Sequence, residues 1–158
     1  MKEVELLPMD KGQFAAYLER AVPRYAKENV KAGYRTEEDA LDRSRADHLR
    51  LLPLGTETPG NHLFIINDRE SGHQIGVIWI KFEEGNNPAV YIYDVFVEEQ
   101  FRGKGYGKAT LRAVEAFSKA KGARSIFLHV FAHNPLAMRL YDEAGFKVRS
   151  MNMEKRLT

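Results

Sequence analysis

The sequence predicts an α/β fold of the α+β kind, with a mixed, mostly antiparallel central sheet that contains one parallel pair of strands and is flanked by about four helices. Three observations predict it. Apolar residues recur at helical intervals in the first third of the chain, three extended segments then follow one another through short turns, and a strand, helix and strand succession occupies residues 89–131. Consecutive strands joined by tight turns pair antiparallel, whereas strands joined by a crossover helix pair parallel. The sheet is therefore expected to be mixed.

The first two elements are a short strand and a helix. Val4 and Leu6 indicate the strand, because alternate residues of a strand share one face. Asp10 followed by Gln13 has the spacing of a capping box, and apolar residues then recur at helical intervals as far as Tyr25.

A second helix and three strands follow. The capping-box spacing of Thr36 and Asp39 opens a charged helix that ends near Leu52, before a proline. The period then becomes extended, and residues with high strand propensity dominate His62–Asn67, Gln74–Phe82 and Ala89–Val97. The connections, Asp68 to Gly72 and Glu83 to Pro88, are rich in turn residues and predict antiparallel hairpins.

The C-terminal half is expected to alternate helices and strands. A helix runs from about Gly105 to Lys121, a strand covers Ser125–Phe131, and Asn134 with Pro135 begins a helix that Gly145 ends. Residues Phe146–Leu157 are expected to close the sheet as one strand or two half-strands.

Composition predicts one domain, residues 1–158, and excludes several classes of protein. The 158 residues are 44% hydrophobic and 29% charged, which allows a sizeable core and argues against disorder, collagen and coiled coil. A net charge of +2 gives no reason to expect nucleic acid as a partner, and the longest apolar runs fall short of the ~20 residues that cross a bilayer. The N-terminus has no apolar stretch after a basic start, so we expect no signal peptide.

The absence of cysteine also limits the chemistry. Without cysteine the chain has no disulfides, no thiolate nucleophile and no Cys-containing zinc site. It also fits a reducing compartment, and we expect a cytoplasmic protein.

The most informative segment is the glycine-rich turn from Gln100 to Lys108, between an apolar strand and a helix. Backbone N–H groups at a helix N-terminus have no partner within the helix, and the macrodipole there favours an anion such as phosphate. Arg102, Lys104 and Lys108 add positive charge. The residues alone leave three interpretations: a phosphate site, a solvated surface turn, or a contact with RNA.

Two common phosphate motifs do not match this turn. A Walker A loop needs Ser or Thr after Gly107-Lys108, where the chain has Ala109. A dinucleotide fingerprint needs a third glycine where Lys108 or Thr110 stands, depending on the starting glycine.

Two motifs together carry a resemblance to a known family. The pattern Q-x-x-G-x-G, formed by Gln100, Gly103 and Gly105, resembles the acyl-CoA pyrophosphate loop of the GNAT superfamily of N-acetyltransferases. The segment from Asn134 to Phe146 is similar to that family's N-x-x-A-x-x-L-Y-x-x-x-G-F pattern. The resemblance covers roughly residues 90–146 by motif, and the remainder by the order of elements. It implies a sheet whose parallel central pair is splayed apart.

The resemblance also implies acetyl-CoA as the acyl donor and assigns residues to it. Its pyrophosphate would be held by the turn residues Arg102, Gly103, Lys104, Gly105, Tyr106, Gly107 and Lys108. The pantetheine would run along exposed backbone groups of the fourth strand, around Val95, Phe96 and Val97. Asn134 would contact the pantetheine arm, a role compatible with capping the helix, since a cap uses the side-chain carbonyl and leaves the amide donors free.

Acyl transfer to an amine poses two proton-transfer problems. An alkylamine of pKa ~10.4 is neutral in only roughly one molecule in 2,500 at pH 7, so a base or a water chain must remove a proton. The departing thiolate, similar to a Cys thiolate of pKa ~8.5, can be protonated by a phenol. Tyr141 matches the family's general-acid position; the alternative is a tyrosine that only completes the apolar face of its helix.

For the base, our candidate is Asp94, a carboxylate in an otherwise apolar strand whose burial would raise its pKa. It could instead pair with an Arg or Lys, and a water relay is an equal alternative. Strict alternation along the strand would place Tyr91 and Tyr93 on the face opposite Asp94.

His129 and His133 do not suggest a metal site, because residues four apart on a strand lie roughly 13 Å apart. The resemblance places the amine acceptor, a small molecule or a peptide, near Tyr25, Glu28, Tyr34 and Arg35. Because no cysteine can carry an acetyl group, transfer is expected to be direct. A catalytically weak acyl-CoA sensor is the alternative function, and the sequence leaves open whether the chain forms a homodimer.

Overall fold

The computed structural model describes all residues, 1–158, and contains five strands and four α-helices. The elements in chain order are β1 (Val4–Pro8), α1 (Lys11–Lys31), α2 (Glu37–Leu51), β2 (Asn61–Asp68), β3 (Gln74–Glu83), β4 (Ala89–Val97), α3 (Tyr106–Ala120), β5 (Ser125–Leu128) and α4 (Pro135–Glu143). Single 3₁₀ turns cover Gly55–Glu57 and Glu99–Phe101.

The strands lie in the sheet in the order in which they occur in the chain. β1 pairs antiparallel with β2 although α1 and α2 lie between them in the chain, and hairpins join β2 to β3 and β3 to β4. β4 pairs parallel with β5 across the α3 crossover. The predicted mixed sheet with one parallel pair is therefore confirmed.

Helices cover both faces of the sheet. One apolar cluster joins the sheet to α3 and includes Ile66, Ile78, Val90 and Val114, all fully buried. A second cluster joins the opposite face to α1 and the end of α2, through Tyr17, Ala21, Leu52 and Trp79. The result is three layers, with the sheet in the middle.

The helix starts differ in one respect from the expectation. The capping box of α1 is formed as predicted: the Gln13 backbone N–H donates to Asp10 and the Asp10 N–H donates to the Gln13 side chain. At α2 the Thr36 hydroxyl donates to the Asp39 carboxylate at 3.0 Å and accepts no bond from the helix backbone. The predicted second capping box is therefore wrong, although the helix begins where expected.

The structure differs more at the C-terminus. β5 ends at Leu128 rather than at Phe131, and residues 146–158 form neither helix nor strand, so the predicted closing strand over Phe146–Leu157 is wrong. Strand propensity alone does not form a strand, and the segment makes no backbone hydrogen bond with any strand of the sheet. None of the helices combines the length and the apolarity that a bilayer crossing requires.

Candidate active site

The candidate site lies where β4 and β5 separate. β4 pairs with β5 only from Ala89 to Ile92, opposite Ser125–Leu128, while its remaining residues, Tyr93–Val97, pair with β3 alone. The side of this segment that faces away from β3 therefore borders no strand. Val95, Phe96 and Val97, expected along the pantetheine, all lie in this separated part of β4.

The glycine-rich turn begins directly after the separated part of β4. The backbone N–H groups of six consecutive residues, Gly103 to Lys108, donate no backbone hydrogen bond, and the first helical bond of α3 comes from Ala109 to the Gly105 carbonyl at 3.1 Å. The N-cap residue, Gly105, has no side chain to cap the helix. Six unpaired donors at a helix N-terminus form a concentrated anion-binding surface.

The three glycines of this turn meet two different requirements. Gly103 and Gly105 have φ of +71° and +92°, in the left-handed region that glycine adopts without strain. Gly107 lies inside α3, where an added Cβ would come within 2.9 Å of the Leu140 side chain. The first two shape the turn, and the third allows α4 to approach α3 closely.

The charged side chains of the turn are already partly engaged. Arg102 donates from Nε to the Val97 carbonyl at 2.8 Å and lies 5.0 Å from the centre of the Phe96 ring. Lys108 pairs with Glu143 of α4 at 3.1 Å, while Tyr106 is buried beneath the turn. Arg102 thus fastens the turn to β4 and occupies one of the carbonyls expected to face pantetheine.

Asn134 is the N-cap of α4, as predicted. Its side-chain oxygen accepts a bond from the Ala137 N–H at 3.3 Å, and its side-chain nitrogen donates to no group of the protein. The cap therefore leaves two amide donors available for a ligand.

Tyr141 lies on α4 and packs half-buried against the core cluster of the α3 face. Its ring meets Phe146 edge-on at 5.7 Å, and its hydroxyl has no hydrogen-bond partner within the chain. Burial raises the pKa of the Tyr141 phenol, and the negative charge of Asp94 raises it further. The phenol therefore keeps its proton at neutral pH and has a free donor.

A β-bulge changes which face of β4 carries the carboxylate. Trp79 pairs with Asp94 and Ile80 with Ile92, so Tyr93 is an extra residue without a partner on β3. Tyr93 stacks on Trp79 at 4.5 Å on the α1 face, and Asp94 is bonded to α1 as well. The expectation that Tyr93 lies opposite Asp94 is wrong, because it assumed unbroken alternation.

Asp94 is held by two residues of α1. Its Oδ2 accepts a bond from the Tyr17 hydroxyl at 2.7 Å, and its Oδ1 accepts one from the Arg24 guanidinium, also at 2.7 Å. Burial, the nearby charge of Asp94 and this hydrogen bond raise the pKa of the Tyr17 phenol well above its usual value. Both oxygens of the Asp94 carboxylate are therefore engaged by α1.

Aromatic side chains line the face of the sheet beneath α1 and α2. The ring centres of Tyr25 and His48 lie 5.8 Å apart, as do those of His48 and Trp79, and Tyr91 lies 4.8 Å from Tyr93. Tyr25 retains 38% of its exposure, so this wall reaches solvent. Such faces attract a cation through their quadrupoles.

Glu28 and His133 join α1 to the loop that precedes α4. His133 Nε2 is hydrogen-bonded to the Glu28 carboxylate, and its ring stacks on Phe131 at 5.3 Å. Phe131 also contacts Tyr34, at 6.4 Å. Of the residues expected near the acceptor, Tyr25, Glu28 and Tyr34 thus lie on this side of the sheet. The Arg35 guanidinium lies 5.8 Å from the centre of the Tyr25 ring and pairs with Asp47 of α2 at 2.6 Å.

Sequence reasoning missed Tyr17 and Arg24, which lie more than 60 residues before Asp94 in the chain. Both side chains belong to the face of α1 that packs on the sheet, and the helical period alone could have placed them there. Their pairing with Asp94 depends on the bulge, for which the apolar pattern gives no signal.

Comparison with known proteins adds independent information. The family model of the acetyltransferase (GNAT) family matches residues 21–146. YycN of Bacillus subtilis (strain 168), described as an uncharacterized N-acetyltransferase, is 39% identical over 98% of this chain and 99% of its own. A crystal structure of YycN superposes over the same shares with a TM-score of 0.94.

Two further proteins extend the comparison. YdgE, also described as an uncharacterized N-acetyltransferase of B. subtilis (strain 168), is 30% identical over 94% of this chain and 95% of its own. The aminoglycoside N-acetyltransferase AAC(6')-Iy, solved in complex with CoA, shares the fold at a TM-score of 0.58 and 20% identity, covering 99% of this chain and 95% of that one.

Proposed function

Because the chain belongs to the GNAT family of acetyltransferases, we propose that it moves an acetyl group from acetyl-CoA directly to a primary amine, with residues 1–158 acting as one catalytic domain. The observation that carries the donor assignment is the row of six unpaired N–H groups from Gly103 to Lys108. The oxygens of a pyrophosphate can accept hydrogen bonds from these N–H groups, and a helix N-terminus favours its negative charge. Acetyl-CoA would supply the activated acyl group when bound.

The proposed donor site continues from this turn along β4 towards α4. The side of Val95 and Phe96 that borders no strand can receive the amides of a pantetheine arm, as an added strand would. The two free amide donors of Asn134 lie at the N-terminus of α4 and would hold the arm from the other side.

In the proposed reaction Tyr141 is the general acid. The amine nitrogen attacks the thioester carbonyl, the C–S bond breaks, and the Tyr141 hydroxyl gives its proton to the departing sulfur. Its raised pKa keeps this proton in place before transfer, and its hydroxyl has no competing partner. Bulk water can return the proton to the phenolate after release of CoA.

The amine must also lose a proton, and the contacts of Asp94 bear on this step. Arg24 and Tyr17 each donate to one of its oxygens, so a bond from the incoming amine to this carboxylate would have to compete with both contacts. We therefore propose that water takes the proton from the amine. A direct base role for Asp94 is the alternative.

The acceptor proposed is a cationic primary amine that enters over the aromatic wall of Tyr25, Tyr91 and Tyr93. Aromatic faces and the half-exposed Glu28 carboxylate favour a positively charged body. His133 is hydrogen-bonded to this carboxylate, so a ligand that contacts Glu28 would share it with the imidazole or displace the imidazole.

A thiol-release assay tests the proposal cleanly, because the chain has no cysteine to react with the thiol reagent. Acetyl-CoA is incubated with a panel of small amines, diamines and peptides, and both free CoA and acetylated product are measured. We expect amine-dependent release, with Ser125→Ala as an active control, because Ser125 pairs with Ala89 at the joined end of β4 and β5. Stabilisation by CoA without acceleration by any amine would instead favour the sensor, and no response to CoA at all would refute the donor assignment.

A further inference from the structure

Glu28 and His133 form a carboxylate–imidazole pair at the acceptor side of the sheet. Glu28 belongs to α1, and His133 lies in the loop before α4, where its Nε2 is hydrogen-bonded to Glu28 Oε2. An ionised carboxylate can only accept, so Nε2 carries the hydrogen of this bond. In the neutral imidazole the lone pair is therefore on Nδ1, which has no hydrogen-bond partner within the chain.

The ring of His133 is held in this orientation by its own loop. It stacks on the Phe131 ring with the centres 5.3 Å apart and the planes inclined by 17°. The loop is closed by the Asn134 N–H, which donates to the Phe131 carbonyl at 3.0 Å. The His133 side chain still retains 21% of its exposure, so water has access to the ring. An imidazole oriented by a carboxylate through one nitrogen can accept a proton at the other.

The pair borders both halves of the proposed site. Glu28 follows Arg24 by one turn of α1, about 6 Å along the helix, and Arg24 is bonded to Asp94 in the separated part of β4. His133 directly precedes Asn134, whose two amide donors are proposed to hold the pantetheine arm. The imidazole therefore lies between the side from which the amine enters and the arm that carries the acetyl group.

Building on the acetyl transfer proposed above, we propose that His133 receives the amine proton through the intervening water and that Glu28 positions the imidazole for this step. The water takes one proton from the ammonium group of the acceptor and passes one of its own to Nδ1 of His133. The lone pair freed on nitrogen attacks the thioester carbon, and the electron pair of the C–S bond leaves on sulfur.

The remaining protons are also accounted for. The attached nitrogen is positively charged after the attack and loses its second proton to solvent as the amide forms, while Tyr141 protonates the sulfur. The negative charge of Glu28 stabilises the imidazolium on His133, which returns its proton to solvent once the products have left.

Glu28 can serve the imidazole and the acceptor at the same time. Only its Oε2 is bonded to His133, its Oε1 accepts no hydrogen bond within the chain, and its side chain retains 37% of its exposure. A cationic acceptor can therefore contact Oε1 while the imidazole stays on Oε2.

His129 lies in the same group of rings and lacks these features. Its ring meets Phe131 edge-on at 4.9 Å, the residue is exposed, and neither of its nitrogens has a hydrogen-bond partner within the chain. It supplies a control of the same residue type without an orienting carboxylate.

His133→Gln tests the assignment, with His129→Gln as the matched control. A glutamine at position 133 keeps an N–H that can donate to Glu28 but has no nitrogen that accepts a proton. With an alkylamine that the unmodified chain acetylates, we expect kcat at pH 7 to fall about 10²-fold in His133→Gln and to stay unchanged in His129→Gln. The loss should shrink as pH rises towards ~10.4, where half of an alkylamine is already neutral.

Glu28→Gln and a double variant test the positioning role. Glu28→Gln keeps an oxygen for the Nε2–H and removes the charge that stabilises the imidazolium, so kcat should fall, though less than in His133→Gln. In Glu28→Gln/His133→Gln, kcat should equal that of His133→Gln alone, because Glu28 acts on the rate through His133. All variants should keep the circular dichroism spectrum and the dissociation constant for CoA, since neither side chain is fully buried.

The outcomes separate this assignment from the acetyl transfer on which it rests. It is overturned if the unmodified chain is active and His133→Gln keeps its kcat, if the loss is the same at pH 7 and at about pH 10, or if His129→Gln loses as much. An additive loss in the double variant would overturn the role of Glu28. No amine-dependent release by the unmodified chain would refute the acetyl transfer itself, and this assignment with it.

Discussion

Tyr141→Phe removes one hydroxyl, and the structure allows the consequences for stability and for rate to be separated. The hydroxyl has no partner within the chain, and the phenyl ring can keep its contact with Phe146. We therefore expect the free energy of unfolding to change by no more than ~0.5 kcal/mol, as for substitutions that disturb no buried contact.

The expected change in rate is much larger. General acids contribute about 10²–10⁴-fold, and a thiolate of pKa ~8.5 leaves tolerably well without help, so the lower end applies. A 10²-fold fall in kcat corresponds to about 2.7 kcal/mol of lost transition-state stabilisation. The KM for acetyl-CoA should stay unchanged, because the hydroxyl acts on the sulfur only as the bond breaks.

The assay is thiol release at saturating acetyl-CoA and amine, with Ser125→Ala as the control for loss of a hydroxyl outside the proposed site. Since the pKa of Tyr141 is raised, its ionisation should cause no fall in kcat of the unmodified enzyme between pH 7 and about 10. A kcat for Tyr141→Phe within twofold of the unmodified value would refute the acid role, as would an equal loss in Ser125→Ala.

Three further predictions follow from single contacts. Gly76→Ala should lower the free energy of unfolding, measured in urea, by about 3 kcal/mol, because its Cβ would lie 2.2 Å from the Phe96 backbone oxygen of β4. Gly12→Ala is the control and should not be destabilising, because its Cβ would lie 3.4 Å from its nearest neighbour, the Asp10 side chain. The free energy of unfolding of the unmodified protein should fall as pH rises above about 10, because the Tyr17 phenol has a raised pKa when folded and ionises more readily when unfolded. In Tyr17→Phe, which also leaves Asp94 bonded to one residue fewer, this fall with pH should be shallower. Equal slopes for the two proteins would contradict the raised pKa. Glu28→Gln should raise the KM for a diamine several-fold, because it removes a half-exposed carboxylate, and should leave the KM for acetyl-CoA unchanged. An unchanged KM for the diamine would contradict the proposal that Glu28 contacts the acceptor.

The sequence predicted those elements whose signals are local. The capping box of α1, the hairpin turns and the β4-α3-β5 crossover each depend on residues within about 40 positions, and all are confirmed. The glycine-rich turn is equally local: glycine spacing and the start of a helix already predict an anion site.

What the sequence did not predict depends on distant or missing partners. The bulge at Tyr93 reverses the face of every later residue of β4, and it alone brings Asp94 to Tyr17 and Arg24. The closing strand over Phe146–Leu157 was predicted from propensity, yet residues 147–157 form no backbone hydrogen bond with any strand of the sheet.

A titration of the ¹⁵N-labelled protein with CoA, followed through backbone amide shifts, tests the central claim most directly. If the unpaired N–H groups of Gly103–Lys108 hold the pyrophosphate, their resonances should move furthest, and those of Val95 and Phe96 should follow as the pantetheine fills the separated part of β4. Saturating shifts confined to other parts of the protein, or no shifts at all, would contradict the proposed donor site.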